Sequence, residues 1–280
     1  MDMVETPAHR GTSSAVEPEV VKEDSSSLNG TKAISRATLI LRLIARNEIQ
    51  GIRLTQLAAL TGIPHPTVRR VLKCLIDERL VLQDPTTRRY RLGPLNFELG
   101  LATFHKREFL MQFHSVITQI AEACQDTTYL MVRSGADAVC LDRIVGAGPV
   151  RAVALEVGGR RPLGFGAAGL ALLAQYPDDE VRAILDANAR EIEVHKRVTR
   201  DRILRGVAHV REHGYSLTRD IASMGFVSIG VVVPAQQERS LFAVSVSSTS
   251  ERMTAGRIHE VQKKVREGVK TFSGVLHWPF

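Results

Sequence analysis

The feature that most constrains this chain is a series of three short amphipathic segments between residues 33 and 79, followed by a basic hairpin. Apolar residues recur at helical spacing from Ala33 to Arg46, and a second stripe extends from Leu54 to Leu60. Gly62 ends that stripe, and Pro66 suits the first turn of a third helix because its missing N–H costs nothing there. The spacing predicts three packed helices with a tight turn before the third.

A hairpin is predicted directly after these helices. Two short strand-like runs, Val81–Gln83 and Arg89–Leu92, flank a polar turn from Asp84 to Arg88. Helix, helix, turn, helix and hairpin is the order of elements in a winged helix-turn-helix, whose last helix enters the major groove of DNA. The alternative is a small helical bundle with a solvated basic face.

The distribution of charge favours the first of these interpretations. The chain of 280 residues carries a net charge of +7, and residues 33–93 alone hold eleven Lys and Arg against four Asp and Glu, an excess of seven. Such a compact basic segment is expected of a protein that binds phosphates. Arginine can pair bidentately with guanine, and a basic wing would lie along phosphates or a minor groove. The candidate DNA contacts are Arg36, Thr55, His65, Thr67, Arg69, Arg70, Lys73, Arg88 and Arg89.

Composition limits the remaining classes of protein. Hydrophobic residues make up 44% and charged residues 24%, which is ordinary for a globular protein of two domains. No run of eighteen apolar residues and no secretory signal is present, and the three cysteines are far apart. We therefore expect a cytoplasmic protein with reduced thiols and no contact with a membrane. Residues 1–31 and 275–280 are predicted to be tails, the first of them disordered.

The second half of the chain reads as an α+β domain. Three apolar runs between residues 127 and 154, separated by glycine-containing turns, predict an antiparallel meander. The helices and strands predicted after it are helices over Pro177–Ala187 and Asp201–His213, strands over Tyr215–Thr218, Val227–Val233 and Leu241–Ser247, and a last helix over Ala255–Ser273.

Three stretches in this half could line a pocket: residues 164–169, 224–228 and 242–247. The first is rich in small residues just before an apolar helix, where exposed backbone N–H groups suit a ligand carboxylate. Tight packing of that helix on a sheet is the alternative, and residue types alone favour it. In the last stretch, strand alternation places Ser245 and Ser247 on one face, which could bind an anion or simply be solvated.

An enzyme is the main competing class. Cys140 and Asp142 are two apart on a predicted strand, hence on one face, but no histidine lies near them in the sequence. Residues 164–169 fit G-x-G-x-x-G without the βαβ unit that a dinucleotide site requires. His209 and His213 have metal-binding spacing without the rest of a zinc motif. We therefore predict no catalytic residue, cofactor or metal, and keep a metabolite-binding protein or enzyme with an accessory nucleic-acid-binding domain as the alternative.

The sequence also resembles a known family. The segment LTQLAALTGIPHPTVRRVLKCLIDERLVLQDPTTRRYRLGP resembles the DNA-binding domain of IclR-family bacterial transcription regulators, and RRPLGFGAAGLALLA, VREHGYSLTRDIASMGFVSIGVVVP and FAVSVSSTSERM continue the likeness to about residue 273. The resemblance implies an α+β two-domain fold: a winged helix-turn-helix over 32–93, a linker helix over 94–106 and a GAF/PAS-like effector-binding domain over 107–274. It also implies a homodimer, often a dimer of dimers, that binds double-stranded operator DNA, more often as the repressor of a catabolic operon. The implied effector is a small organic acid or an aromatic metabolite.

The resemblance carries effector contacts to particular positions. Ala167 and Ala168 match the family's backbone donors, and its polar contacts correspond to Thr218, Ser228, Ser245 and Ser247. Gly164 stands where the family often has His, and Thr218 and Arg219 stand where acidic residues are common. We therefore expect a pocket that is roomier at Gly164 and less acidic near Arg219. An organic anion or aromatic acid would bind there, with Arg219 or a helix end meeting its charge.

Overall fold

The N-terminal domain contains three helices and a two-stranded antiparallel hairpin. The computed structural model describes residues 25–102, 107–148, 155–195, 197–221, 225–235 and 239–274. The elements of this domain are α1 (Ser25–Arg46), α2 (Leu54–Thr61), α3 (His65–Asp77), β1 (Val81–Gln83) and β2 (Tyr90–Leu92). Their core is built from the apolar stripes on which the prediction was based: Ile40, Ile44, Leu57, Val68 and Leu72 are almost fully buried. The predicted winged helix-turn-helix is confirmed.

Helix α1 begins eight residues before the predicted start. Residues 25–31, which were assigned to the disordered tail, belong to the helix. Extending a formed helix costs little, because each added residue gains one hydrogen bond after nucleation, so a serine-rich segment can continue it. The predicted tails over 1–24 and 275–280 lie outside the described residues.

The turns of this domain form as their residues require. Gly62 ends α2 in the left-handed region, at φ 68°, and its N–H donates to the Ala58 carbonyl. In the hairpin, the carboxylate of Asp84 accepts hydrogen bonds from the N–H groups of Thr86 and Thr87 at 2.9 and 2.7 Å. These bonds, that of Thr87 first, lower the pKa of Asp84. The side chain thus stabilises the turn that carries the tip of the wing.

Two helices lead from the wing into the second domain. Helix α4 spans Pro94–Ala102 and α5 spans Arg107–Cys124. The predicted linker helix over 94–106 therefore corresponds to α4 as far as residue 102, and residues 103–106 lie outside the described residues. Every residue of α4 is at least partly exposed, including Phe97, Leu99 and Leu101.

A six-stranded antiparallel sheet is the centre of the C-terminal domain, with the order β5-β4-β3-β8-β7-β6. Its strands are β3 (Thr127–Ser134), β4 (Asp137–Ile144), β5 (Arg160–Pro162), β6 (Ser216–Arg219), β7 (Phe226–Val232) and β8 (Phe242–Thr249). The remaining helices are α6 (Ala167–Leu173), α7 (Asp178–Ala187), α8 (Ala189–Val194), α9 (Arg200–His213) and α10 (Ala255–Lys270), followed by a 3₁₀ turn over Thr271–Gly274. The α+β class is confirmed.

The two faces of this sheet pack against different helices. Leu130, Val244 and Ile229 belong to the core shared with α5 and α10. The alternate residues Tyr129 and Met131 face the core around α6, α7 and α9. Both faces are covered, so polar residues of the inner strands are buried rather than solvated.

The predicted meander needs one correction. Its third run was placed before residue 158, but residues 155–157 are not in a strand, and residues 150–154 lie outside the described residues. The third strand is β5, whose Arg161 pairs with Ala138 of β4. An edge strand of three residues with a terminal proline has no apolar alternation, which is why the sequence pattern missed it.

The two domains contact one another through charged groups. Arg46, the last residue of α1, donates hydrogen bonds to the carboxylates of Asp137 on β4 and Glu191 on α8. Arg160 of β5 pairs with the same Asp137 at 3.3 Å. We call Arg46, Asp137, Arg160 and Glu191 the interdomain cluster. Asp137 retains only 6% of its side-chain exposure, so its charge is compensated mainly by these two arginines.

Candidate nucleic-acid interface and ligand pocket

Helix α3 buries one face in the domain and presents the opposite face to solvent. Val68, Leu72 and Leu75 are buried. The basic residues between them, Arg69, Arg70 and Lys73, are all exposed. Three and four residues apart, they share one side of the helix. The predicted basic surface therefore exists, and its side chains are available to a partner.

The other predicted contacts lie around this face. His65 opens α3 and is exposed, while Thr67, two residues later, is half-buried. Thr55, in the first turn of α2, and Arg36, on α1, are also exposed. The first turn of a recognition helix is the part that meets base edges. The structure leaves His65 and Thr67 at that position.

The wing separates its two arginines. Arg88 is exposed at the turn, in the left-handed region at φ 57°. The guanidinium of Arg89 instead donates to the Gly51 carbonyl at 2.8 Å and is half-buried. Both residues were predicted to contact DNA, but side chains alternate along the hairpin, so Arg89 turns back and holds the wing against the loop after α1.

A pocket in the C-terminal domain brings most of the predicted effector contacts together. It is a small cavity of about 50 Å³ between the first turn of α6 and the inner face of the sheet. Predicted contacts among its lining residues are Ala167, Ala168, Ser228, Ser245 and Ser247. Its remaining wall is formed by Tyr129, Met131, Leu155, Arg161, Phe165, Gly166 and Gly169.

The tight-packing interpretation of the small-residue stretch is confirmed, and its role in binding a ligand stays a prediction. All seven residues of α6 are buried, so the helix does pack tightly on the sheet. A Cβ on Gly230 of β7 would lie 2.5 Å from the carbonyl carbon of Ala167, and the Ser216 hydroxyl donates to the Ala167 carbonyl at 2.6 Å. This close approach is what places the first turn of α6 at the pocket. Amides of a first helical turn have no partner within the helix, so they can donate to a ligand.

The pocket serines come from neighbouring strands. Ser228 on β7 is directly opposite Ser247 on β8, and their hydroxyl oxygens are 2.7 Å apart. Ser245 and Ser247 are buried, on the same face as Tyr129. The solvated alternative for these serines is therefore excluded, and three hydroxyls converge on one cavity.

Three expectations about the pocket are corrected. Thr218 is buried in a separate cavity with Gly164 and Ile203. Arg219 lies exposed on the outer face of β6, because adjacent strand residues point in opposite directions, and it is not among the residues that line the pocket. Gly164 gives no extra room, since a Cβ there would lie 2.9 Å from the Ile203 side chain.

Arg161 is a pocket residue that the sequence reasoning missed. Among the described residues that line the pocket, it carries the one charged side chain. Burial lowers the pKa of Arg161. His195 packs edge-on against Phe165, with ring centroids 5.1 Å apart, and its pKa is lowered by burial and then by the charge of Arg161. No sequence pattern had marked the neighbouring Arg160, on the opposite side of β5, as a functional residue either.

The pair that suggested a nucleophile is separated in the structure. A bulge in β4 shifts the pairing between Leu130 and Met131, so Cys140 and Asp142 point to opposite faces. Burial raises the pKa of Cys140 to about 12, and the side chain of Asp142 contacts His114 at 2.7 Å instead. Within the described ranges, no three His, Cys, Asp or Glu side chains are grouped to hold a metal ion. In the same part of the chain, no helix is long and apolar enough to cross a membrane.

Comparison with known proteins matches both domains. Residues 33–85 match the IclR helix-turn-helix domain, and residues 101–274 match the C-terminal domain of the bacterial transcriptional regulator IclR. The chain is 24% identical to the transcriptional repressor IclR of Escherichia coli K12 over 85% of its own length and 88% of that protein. It is 23% identical to the HTH-type transcriptional regulator XynR of the same organism, over 89% and 98%. The fold is similar to that of a regulator from Brucella abortus, with a TM-score of 0.72 at 21% identity over 93% of this chain and 97% of that one.

Proposed function

Because the chain belongs to the IclR family of DNA-binding transcriptional regulators, whose members are not enzymes, we propose that it binds its operator as a homodimer under the control of a small effector. The effector is a small organic acid or aromatic metabolite that binds in the cavity between α6 and the sheet. The observation that carries the proposal is the exposed basic face of α3, since a helix-turn-helix reads DNA through that face.

The DNA contacts divide into two kinds. We assign Arg70 and Lys73 on α3, with His65 and Thr67 at its start, to base edges in the major groove, and their partial or full exposure supports this assignment. Arg88 on the wing meets phosphates, which position the protein without reading sequence. Arg69, Arg36 and Thr55 are also exposed and complete the proposed surface, whereas Arg89 supports it indirectly through its bond to Gly51.

Helix α4 supports the proposed homodimer. Phe97 is 70% exposed and Leu101, one turn later, is 48% exposed. None of the nine residues of α4 is buried within the chain. An apolar helix with no buried face is expected to pack against another molecule. A two-fold dimer would place two α3 helices in successive major grooves, with half-sites about 10 bp or a multiple apart. Pairing of two such dimers would give the dimer of dimers.

Control of a catabolic operon is proposed from similarity to known regulators, since no single residue of this chain indicates which genes it controls. Similar proteins include the acetate operon repressor of Salmonella typhimurium LT2, which is 24% identical over 85% of this chain. We propose that this chain is likewise a repressor, released or stabilised by its effector. An equilibrium between two arrangements of the DNA-binding domains is required, and the effector must prefer one of them. A protein that acts on a chromosomal operator would work in the cytoplasm.

DNA binding is tested with the full chain. Repeated binding selection from a random duplex library would yield the operator, and fluorescence anisotropy would give its Kd at several salt concentrations. Arg70→Ala should cost about 1–3 kcal/mol and relax the sequence preference at one position. Arg88→Ala should weaken all sequences alike and reduce the salt slope by about one.

The control for lost charge is Arg205→Ala, which removes an exposed arginine on α9 in the other domain. It should leave both the Kd and the salt slope unchanged. If both Arg70→Ala and Arg88→Ala bound the selected operator as the unaltered protein does, the assignment of α3 and the wing to DNA would be wrong.

A further inference from the structure

Helix α8 carries two side chains that reach the DNA-binding domain. The guanidinium of Arg190 donates to the Ala59 carbonyl on α2 at 2.7 Å. The carboxylate of Glu191, the next residue of the helix, accepts a hydrogen bond from Arg46 at the end of α1. Helix α2 is the first helix of the helix-turn-helix and packs against α3. A contact that holds the end of α2 therefore bears on the orientation of the proposed recognition helix.

The other end of α8 touches the wall of the cavity between α6 and the sheet. His195, which directly follows the helix, packs its ring edge-on against Phe165, with the ring centroids 5.1 Å apart. Phe165 lines the cavity, and α6 begins two residues later, at Ala167. The N–H of His195 also donates to the Glu191 carbonyl at 3.1 Å, which ties it to the last turn of α8. One short helix therefore connects the cavity wall to the DNA-binding domain.

Helix α8 is held mainly at its ends. None of its six residues is buried. The side-chain amide of Asn188, just before the helix, is buried and donates to the Ala136 carbonyl at 2.8 Å, which fixes the start of α8. Ile192 is only partly buried against the core around α6. A segment with so little buried apolar surface shifts at low cost, as elements that move in regulation generally do. A displacement of Phe165 should therefore move α8 more readily than the core.

We propose that α8 positions the helix-turn-helix, and that the contact between Phe165 and His195 makes this position sensitive to the cavity wall. His195 and Arg190 are positioning residues, because they act through α8 rather than by contacting DNA. The proposal rests on the operator binding and effector control described under the proposed function, and it adds the element that connects them. It requires two arrangements of α8 that the cavity wall favours unequally, since equal preference shifts nothing.

The orientation of the two domains is measured first, without DNA or ligand. One spin label is attached to Cys74, which is exposed on α3, and a second to the cysteine introduced on α9 by Arg205→Cys. Cys124 and Cys140 are buried, so they should remain unlabelled. Mixing labelled chains with an excess of unlabelled protein restricts the measured distances to those within one chain. Electron–electron double resonance then gives the distribution of distances between the domains.

Substitutions at both ends of α8 should alter this distribution. Arg190→Met and His195→Ala should each broaden it or shift its maximum. Val194→Ala, at a residue of the same helix that is 75% exposed, should leave it unchanged. Circular dichroism and urea unfolding establish that the variants are folded. If His195→Ala gave the same distribution as Val194→Ala, the cavity side of α8 would not influence the DNA-binding domain and the proposal would be overturned.

Operator binding tests the connection itself. On the selected operator, His195→Ala should change the Kd of the full chain about fivefold or more. The same substitution should change Kd less than about twofold when Arg190→Met and Glu191→Ala have already released α8 from the DNA-binding domain. Equal effects in the two backgrounds, or no effect in the chain with α8 attached, would overturn the proposal. If the unaltered protein selects no operator, the proposed function fails, and the distances between the spin labels alone decide the role of α8.

Discussion

The interdomain cluster predicts how strongly the DNA-binding domain is held against the effector domain. Arg46→Met removes the guanidinium that bonds to both Asp137 and Glu191, while a side chain of similar length keeps its apolar contacts. The bond to buried Asp137 is charge-assisted and contributes about 1.5–3 kcal/mol. Glu191 is 34% exposed, so its pair contributes only about 0.2–1 kcal/mol. Asp137 keeps Arg160, which prevents the larger loss expected of a stranded buried charge.

An unpaired atom of Arg46 reduces the loss of unfolding free energy expected for Arg46→Met. The Nε atom of Arg46 is buried and has no hydrogen-bond partner within the described part of the chain, which costs about 1 kcal/mol or more in the unaltered protein. The net loss for Arg46→Met is therefore about 1–3 kcal/mol. Urea unfolding measures it, and a double-mutant cycle with Asp137→Asn isolates the pairwise part. The two domains can unfold separately, so a single unfolding curve does not isolate their contact. Circular dichroism should therefore measure unfolding, and the rate of trypsin cleavage between the domains should measure their separation.

The matched control is Arg42→Met, which lies one turn earlier on α1 and is exposed. It should change the free energy of unfolding by less than about 0.5 kcal/mol. If Arg46→Met behaved like this control, or if the cycle gave an interaction energy below about 0.5 kcal/mol, the cluster would not hold the domains together. The reasoning from burial and hydrogen bonding would then be refuted for this interface.

Three further predictions concern stability and assembly. Gly230→Ala would place a Cβ 2.5 Å from the backbone of α6, so it should lower the free energy of unfolding by about 2 kcal/mol or more and abolish the binding of carboxylate ligands in calorimetry. The control Gly256→Ala, on open helix surface, should raise the free energy of unfolding by about 0.5–1 kcal/mol. Equal effects of the two substitutions would contradict the close packing at α6. Burial lowers the pKa of His195 below its ordinary 6.5, so the unfolded state binds more protons than the folded state as the pH falls. The free energy of unfolding should therefore be highest above pH 6.5 and decline below it. His195→Gln should reduce this decline when urea unfolding is compared at about pH 8 and about pH 5.5. Phe97→Asp should shift the sedimentation coefficient toward that of the monomer. The control Val194→Asp, at a residue of α8 that is 75% exposed, should leave the dimer intact. If Phe97→Asp also remained a dimer, α4 would be excluded from the interface.

The sequence predicted those elements whose apolar residues repeat over several turns. Helices α2 and α3 follow directly from their stripes, and Gly62 ends α2 in the left-handed conformation that glycine favours. The alternation that places Ser245 and Ser247 together was also correct. These features are local, because spacing within one element determines which residues share a face.

What the sequence did not predict depends on contacts between distant segments. Arg161 lies on an edge strand too short for a periodic signal, and only its pairing with β4 turns it into the pocket. Arg46 and Asp137 are 91 positions apart, and neither residue type indicates a partner. The separation of Cys140 from Asp142 follows from a single bulge, which moves every later side chain of a strand to the other face.

Two adjacent residues of strand β5 contact different parts of the molecule, the interdomain cluster and the cavity beneath α6. Arg160 lies against Asp137 at the boundary with the DNA-binding domain, and Arg161 lines the cavity beneath α6. If a bound molecule displaces β5, both side chains move with it, because Arg160 and Arg161 are adjacent residues of the same three-residue strand. Communication between effector and operator would then need only a ligand that prefers one position of this strand.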